Sequence, residues 1–142
     1  MESRENHWVI ARFEDLAQQG SDAERIADII VLNWQLTETI LNPILGRKSA
    51  TMLYQRSLFL TTKIYPWLIS AYGGIASSMD LAALKIVVIQ QSSADAAAAG
   101  GAFLQIFHDM LTSLIGSAFT ENSLRSVWEH HLSGPSARDT SP

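Results

Sequence analysis

The sequence contains no cysteine, which excludes a disulfide framework, a thiolate metal site and a cysteine nucleophile. Proline is scarce, with only four residues in the chain of 142. Charged residues make up 17%, and the net charge of −4 argues against nucleic-acid binding, which normally needs a basic face. Apolar side chains are abundant at 47%, and this content fits one globular domain with a sizeable core.

A long uninterrupted apolar run is also missing. The uncharged run 64–79 is broken by proline and glycine, and the run 96–120 is broken by His108 and Asp109. Neither reaches the roughly 20 continuous apolar residues that cross a bilayer. The charged N-terminus lacks the apolar segment of a secretory signal. The sequence therefore predicts a cytoplasmic protein without a membrane segment.

The spacing of apolar residues follows the helical period along most of the chain, and strand alternation is nearly absent. This pattern predicts an all-α, single-domain bundle of about six helices within residues 1–132. The helices are expected at about 3–19, 21–42, 47–64, 80–91 and 92–119, with a sixth beginning at 120. Residues 133–142 are rich in Ser, Pro and Gly and are predicted to form a disordered tail.

Local signals set these bounds. Gly20 is a C-terminal stop for the first helix, and Ser21 opens a capping box with a glutamate three residues later. Pro43 ends the second helix at the residue before it, because proline disfavours helical geometry there. The pair Ser92-Ser93 caps the long fifth helix, and Thr120 caps the sixth.

The order of helix lengths resembles the globin layout: two long helices, a short proline-initiated turn, a medium helix, a looser region, another helix, a long helix and a last one. The resemblance implies a ligand-sensing domain. The predicted fourth helix has no histidine between Met79 and Gln91, where a globin would carry its haem ligand, so a haem-free variant without a cofactor is implied. A simple antiparallel bundle buries the same helical stripes and stays open as the alternative.

The fifth helix carries the run His-Asp-Met-Leu-Thr-Ser-Leu from His108 to Leu114. It is similar to the phosphoacceptor box of sensor histidine kinases, in which a helical histidine precedes an acid, an aliphatic, a basic residue, threonine and proline. Leu111 and Ser113 replace the basic residue and the proline, and no Gly-rich ATP-binding region follows. Kinase activity is therefore not implied, but phosphotransfer through His108 is a hypothesis.

Helical geometry extends this hypothesis. Gln105, His108, Asp109 and Thr112 share one polar stripe, which predicts that His108 faces water or a partner. His108, Asp109 and Thr112 are then candidates for a phosphoacceptor site or a partner contact. The other face of the helix is predicted to be buried, with Phe103, Phe107, Met110 and Leu114.

Arg47 and Lys48 open the third helix, where cations oppose the helix dipole. An anion bound by the free backbone N–H groups would resolve this conflict, with Ser49 assisting. Arg47, Lys48 and Ser49 are therefore a candidate anion-binding site. The alternative is that the cations neutralise the end of the preceding helix or pair with acids of the first forty residues.

Two further groups are candidates. Tyr65, Trp67 and Tyr72 cluster after the third helix and could line a ligand pocket or a protein-binding patch. The alternative is that they pack into the core, as aromatic residues near helix ends more often do. Ala96, Gly100 and Gly101 form a strip of small side chains in the fifth helix. Two adjacent glycines predict the close approach of another helix, from the same chain or from a second copy.

No nucleophile-and-base pair, carboxylate pair or metal-ligand spacing emerges, so we expect neither an enzyme nor a metal site. The leading hypothesis is a non-catalytic regulatory or protein-interaction module in signalling, which forms a homodimer or binds a protein partner. Nucleic acid and membrane are not expected partners. The alternatives are a ligand-sensing domain of globin-like layout and histidine phosphotransfer through His108.

Overall fold

The computed structural model describes residues 8–73, 79–125 and 128, and every regular element within these ranges is helical. This confirms the predicted all-α bundle. The α-helices are α1 (Trp8–Gln18), α2 (Ala23–Leu45), α3 (Arg47–Thr62), α4 (Leu81–Val88), α5 (Ser93–Ile115) and α6 (Ser117–Thr120). A 3-10 helix (Pro66–Ala71) follows α3, and a π-helix (Glu121–Arg125) follows α6. The predicted helix start near residue 3 and the predicted tail 133–142 lie outside the described residues.

The turn between α1 and α2 begins at the predicted glycine. Gly20 has φ +95°, and its N–H donates to the Ala17 carbonyl at 3.1 Å. The N-cap of α2 is Asp22 rather than the predicted Ser21, because the N–H of Ser21 closes the end of α1 on the Leu16 carbonyl. The Asp22 carboxylate instead accepts the Arg25 N–H at 2.9 Å.

The second helix continues through Pro43 to Leu45, so the predicted end at Asn42 is wrong. The bias against helix before proline is a preference, and here the last turn is closed after the proline. Gly46 adopts φ +90°, which favours glycine, and its N–H donates to the Asn42 carbonyl at 2.9 Å. This cap fixes the helix end three residues beyond the expected position.

The fifth helix ends at Ile115 instead of near Phe119 because Gly116 stops it in the same way. Gly116 has φ +94°, and its N–H donates to the Thr112 carbonyl at 2.9 Å. Of the predicted pair Ser92-Ser93, Ser92 is the cap, since its hydroxyl accepts the Asp95 N–H. Thr120 is no cap. Its hydroxyl donates to the Gly116 carbonyl within the short α6.

The helices α2 and α5 are a matched pair. Each has 23 residues, begins at a side-chain cap and ends at a glycine with φ near +90° and ψ near +150°. Every buried position of α2 has a buried counterpart seventy residues later in α5, from Ile26 and Ala96 to Leu41 and Leu111. The chain therefore builds one helical unit twice, a repeat that the sequence analysis missed.

The short first helix of each unit packs against the long helix of the other unit. The helix α1, which precedes α2 in sequence, packs against α5, and α4, which precedes α5, packs against α2. The helices α2 and α5 contact each other at the centre, and α3 lies against both. Trp34 of α2 forms the aromatic centre of the core, with ring centroids 4.7–4.8 Å from Tyr54, Phe103 and Phe107.

Residues of the segment 47–64 differ widely in burial. Ala50 and Ser57 are buried, whereas Ile64 is 57% exposed and Leu53 is only half-buried. The stripe of α3 that faces the core contains Tyr54, Leu58 and Thr61, which are fully buried. Leu53 is thereby left at the surface between α3 and α5. Within the part of the chain that the structure describes, no helix combines the length and apolar content needed to cross a membrane.

Candidate functional site

An apolar groove runs between α3 and α5. Leu53 of α3 and Leu114 of α5 line both of its two adjoining compartments. The compartment on the α5 side has a volume of about 420 Å³ and is completed by Asp109, Met110 and Ser113. The compartment on the α3 side has a volume of about 300 Å³ and is completed by Ser49, Met52 and Arg56.

The groove leaves large apolar side chains in water. Leu114 is 59% exposed and Met52 is 48% exposed. Single exposed apolar residues are ordinary on protein surfaces. Here the exposed side chains line the same groove as the half-buried Leu53 and Met110, and a contiguous apolar patch with a polar rim is typical of interaction sites. The flexible methionines can also adapt their shape to a partner.

The rim of the groove carries one cation and one anion. Arg56 is exposed on the α3 side, and the side chain of Asp109 is 60% exposed on the α5 side. Among the described residues, Arg56 forms no ion pair or hydrogen bond, so these two charges do not pair within one chain. Both are available to a partner.

Asp109 is held in place by a buried amide. The side chain of Gln105, a residue only 3% exposed, donates from Nε2 to Asp109 Oδ1 at 3.1 Å. The Oε1 of the same amide accepts the backbone N–H of Val9 at 3.2 Å. The rim carboxylate is therefore tied through one side chain to the first described turn of α1.

His108 does not face water, so the predicted exposure is wrong. The residue is 7% exposed, and both ring nitrogens are fully covered. The sequence assigned Gln105 and His108 to a solvated stripe, but α1 packs over this part of α5. Conversely, Leu114, predicted to be buried, lies at the surface. The polar and apolar faces of α5 are thus partly exchanged relative to the prediction.

The surroundings of His108 are aromatic and acidic. The rings of Trp8 and Trp128 lie 5.9 and 6.0 Å from the imidazole centroid. Its Nδ1 is 3.7 Å from Asp109 Oδ1, and its Nε2 is 3.7 Å from Glu121 Oε2. At this separation neither nitrogen makes a hydrogen bond to the residues that the structure describes. A phosphoryl donor could not reach either nitrogen without opening this packing.

Thr112, the third member of the predicted phosphoacceptor group, is also turned inward. Its hydroxyl oxygen is buried and has no hydrogen-bond partner within the described ranges. Of His108, Asp109 and Thr112, only Asp109 presents its functional group at the surface. The arrangement therefore gives no support to phosphotransfer, and Asp109 alone is retained as a candidate partner contact.

Arg47, Lys48 and Ser49 lie exposed at the start of α3, as expected. The N-cap residue Gly46 provides no side-chain hydrogen bond, and neither cation is ion-paired in the described part of the chain. Anion binding there stays a prediction, because a free helix N-terminus alone does not define a site. Ser49 has a second place, on the α3 side of the groove.

The three predicted pocket aromatics are divided between two contacts. Tyr65 and Trp67 meet edge to face at a centroid separation of 6.4 Å. Tyr72 instead packs against Phe59 of α3 at 5.4 Å. All three predicted residues are half-buried, and none of them lines the groove. The three residues therefore have separate packing contacts, and these contacts do not support the ligand-pocket hypothesis.

The small-residue strip is used inside the chain. Ala96, Gly100 and Gly101 are buried. A Cβ added to Gly101 would lie 3.1 Å from the backbone Cα of Ile10 in α1, and one added to Gly100 would lie 2.5 Å from Cδ1 of Ile30 in α2. The close approach is therefore intramolecular, and this strip is not a contact between two copies.

The groove itself was missed by the sequence analysis. A signal for it existed, since the apolar residues of α5 exceed what one buried stripe can hold. Phe103, Phe107 and Leu111 are buried, while Met110 and Leu114 lie on a second apolar flank. A helix that is apolar on two flanks needs a second partner surface.

No group of three or more metal-ligating side chains occurs among residues 8–73, 79–125 and 128. In comparisons with known proteins, no family model, no curated protein and no solved structure matches this chain. The interpretation of the surface therefore depends on its own geometry.

Proposed function

We propose that this protein is a non-catalytic protein-interaction module that self-associates through the groove between α3 and α5. The observation that carries the proposal is the groove itself: Leu53, Met52, Met110 and Leu114 line an apolar surface that the described helices leave partly exposed. Removing such surface from water stabilises an interface by roughly 25 cal/mol per Å² of apolar area before the costs of association.

The two charges on the rim of the groove favour a second copy of the chain as the binding partner. A partner of uniform charge would meet repulsion from either Arg56 or Asp109, whereas a copy of the same surface offers both signs. The strip at Gly100 and Gly101, the earlier candidate for self-association, is already filled by α1 and α2. A regulatory role and a cytoplasmic location stay predictions that go with this proposal.

The test uses the methionine methyl groups, because Met52 and Met110 lie in the groove and Met79 lies elsewhere. In protein labelled with ¹³C at the methionine methyls, the signals of Met52 and Met110 should shift or broaden as the protein concentration rises. The signal of Met79 should stay constant. The spectrum thus reports both self-association and its location.

The repeat supplies a matched control. Leu114→Glu should abolish the concentration dependence, because it places a charge at the centre of the groove. Ile44→Glu changes the residue that corresponds to Leu114 in the first unit and is 41% exposed, and it should leave the dependence intact. Spectra that do not change with concentration, or a dependence that survives Leu114→Glu, would contradict the proposal.

A further inference from the structure

We infer that the two copies meet as a two-fold symmetric pair in which Arg56 of each chain pairs with Asp109 of the other. This inference rests on the proposed self-association and adds its geometry and the residues that determine its specificity. It follows from a correspondence between the two compartments of the groove.

Each compartment contains one serine, one methionine and one charged residue. On the α5 side these are Ser113, Met110 and Asp109, and on the α3 side they are Ser49, Met52 and Arg56. The charges are opposite in sign, and the other members match in kind. A two-fold axis that passes over the shared Leu53 and Leu114 would place the α5 compartment of one chain against the α3 compartment of its partner.

Such an interface uses the same surface on both chains, so every contact across it occurs twice. The pairing of Arg56 with Asp109 of the partner copy therefore occurs twice, once on each side of the apolar centre. A guanidinium also matches a carboxylate through two parallel hydrogen bonds, which adds a preferred orientation. Charged pairs at an interface contribute mainly to the choice of partner and to its register.

Other charges on α3 are less suited to this role. The segment from Arg47 to Lys63 has four cations and no acid, but only Arg56 lines the groove. Lys63 lies over the ring of Phe59, with its Nζ 4.4 Å from the centroid. Lys63→Glu therefore makes the same charge change as Arg56→Glu at the C-cap residue of the same helix, outside the groove.

The experiment measures dimer dissociation constants by sedimentation velocity for the full chain. Arg56→Glu alone and Asp109→Lys alone should each weaken dimerisation at least tenfold, since each homodimer then holds two like-charge pairs. An equimolar mixture of the two variants should recover an affinity within about threefold of the original, because the mixed dimer has only opposite-charge pairs. Lys63→Glu should change the affinity less than threefold.

A second measurement does not depend on charge. The chain has no cysteine, so Arg56→Cys and Asp109→Cys each create a unique thiol. A short thiol-reactive crosslinker should link a mixture of these two variants, and neither variant alone. Crosslinking of either single variant with itself, or none in the mixture, would overturn the two-fold arrangement.

The outcomes separate the two proposals. The Arg56–Asp109 pairing is overturned if both single charge variants weaken dimerisation and their mixture does not recover it. It is also overturned if Leu114→Glu weakens dimerisation and neither charge variant changes the affinity. In both cases self-association through the groove would stand. A protein that remains monomeric at every concentration overturns the proposed function and this inference together.

Discussion

The two repeated units of the chain differ where they touch each other. Ile30 of α2 and Gly100 of α5 occupy equivalent positions, seventy residues apart, and these two residues are in contact. A large side chain in one unit fills the space that glycine leaves in the other. Two identical units could not pack this way, because an isoleucine at both positions would require the same volume twice.

A similar division holds deeper in the core. The counterparts of Phe103 and Phe107 in α2 are Asn33 and Thr37, and all four are buried. Asn33 and Thr37 satisfy their donors within α2, through the carbonyls of residues 29 and 33. Thr37 additionally accepts the indole N–H of Trp128 at 2.9 Å. At these two pairs of positions the first unit provides hydrogen bonds and space, and the second provides the aromatic side chains.

The units also differ in charge at the positions that correspond to the rim of the groove. In the sequence, Ser126 lies seventy residues after Arg56 and Thr39 lies seventy residues before Asp109, and both are uncharged. The two charges of the rim are therefore not repeated at the corresponding sequence positions.

The largest expected effect concerns the contact between Ile30 and Gly100. Gly100→Ala should destabilise the fold by about 2 kcal/mol through overpacking, even though alanine favours helix. Ile30→Val removes the Cδ1 methyl that the new Cβ would meet at 2.5 Å. Urea unfolding of both single variants and the double variant should show that the double variant loses less free energy than the sum. Simple additivity would mean that the two positions do not compete for volume.

A smaller effect tests whether α2 and α5 depend equally on the glycines that end them. Gly46→Ala and Gly116→Ala should each cost about 1–2 kcal/mol, because φ near +90° with ψ near +150° is strained for any residue with a Cβ. Thermal and urea unfolding should give closely similar losses for the two variants. A large loss at one glycine only would show that the shared cap geometry is not equally important in both units.

The smallest effect near neutral pH concerns Tyr54, whose counterpart is Leu124. The Tyr54 hydroxyl is buried without a hydrogen-bond partner among the described residues, so Tyr54→Phe should be nearly neutral at pH 7. Burial, with a smaller contribution from Asp80, raises the pKa of Tyr54 above its ordinary value of 10. An unfolded tyrosine ionises at about pH 10, so this group destabilises the fold as the pH rises above that value.

Stability curves from pH 8 to 11 measure this effect. The original protein should lose stability above about pH 10 faster than Tyr54→Phe, because only the original must keep a buried phenol neutral. Tyr65 and Tyr72 are present in both proteins and cancel in the comparison. Identical alkaline profiles would show that the Tyr54 hydroxyl reaches water in the folded state.

Much of the fold was predictable because local chemistry decides it. The stop at Gly20 and the cap at Ser92 follow from backbone and side-chain hydrogen bonds within a few residues. The ends of α2 and α5 were less predictable, because Pro43 is typical of a helix end and the apolar spacing continues past Gly116 to Phe119. Both helix ends depend on a glycine at positive φ, which sequence spacing alone does not distinguish from an internal glycine.

The candidate site was much less predictable because it depends on contacts between distant segments. His108 is covered by Trp8 and Trp128, and neither can be placed from the sequence around residue 108. Leu114 is exposed because α3 and α5 leave a gap, whereas its spacing alone fits a buried stripe equally well. The face that a helix presents to water is set by its neighbours.

The most direct test is a native mass spectrum of the unmodified protein across a range of concentrations, since it reports subunit number and retained ligand together. Self-association through the groove predicts a dimer that becomes dominant as the concentration rises, with no added mass. A monomer at all concentrations, or a monomer that carries a non-covalently bound small molecule, would contradict it.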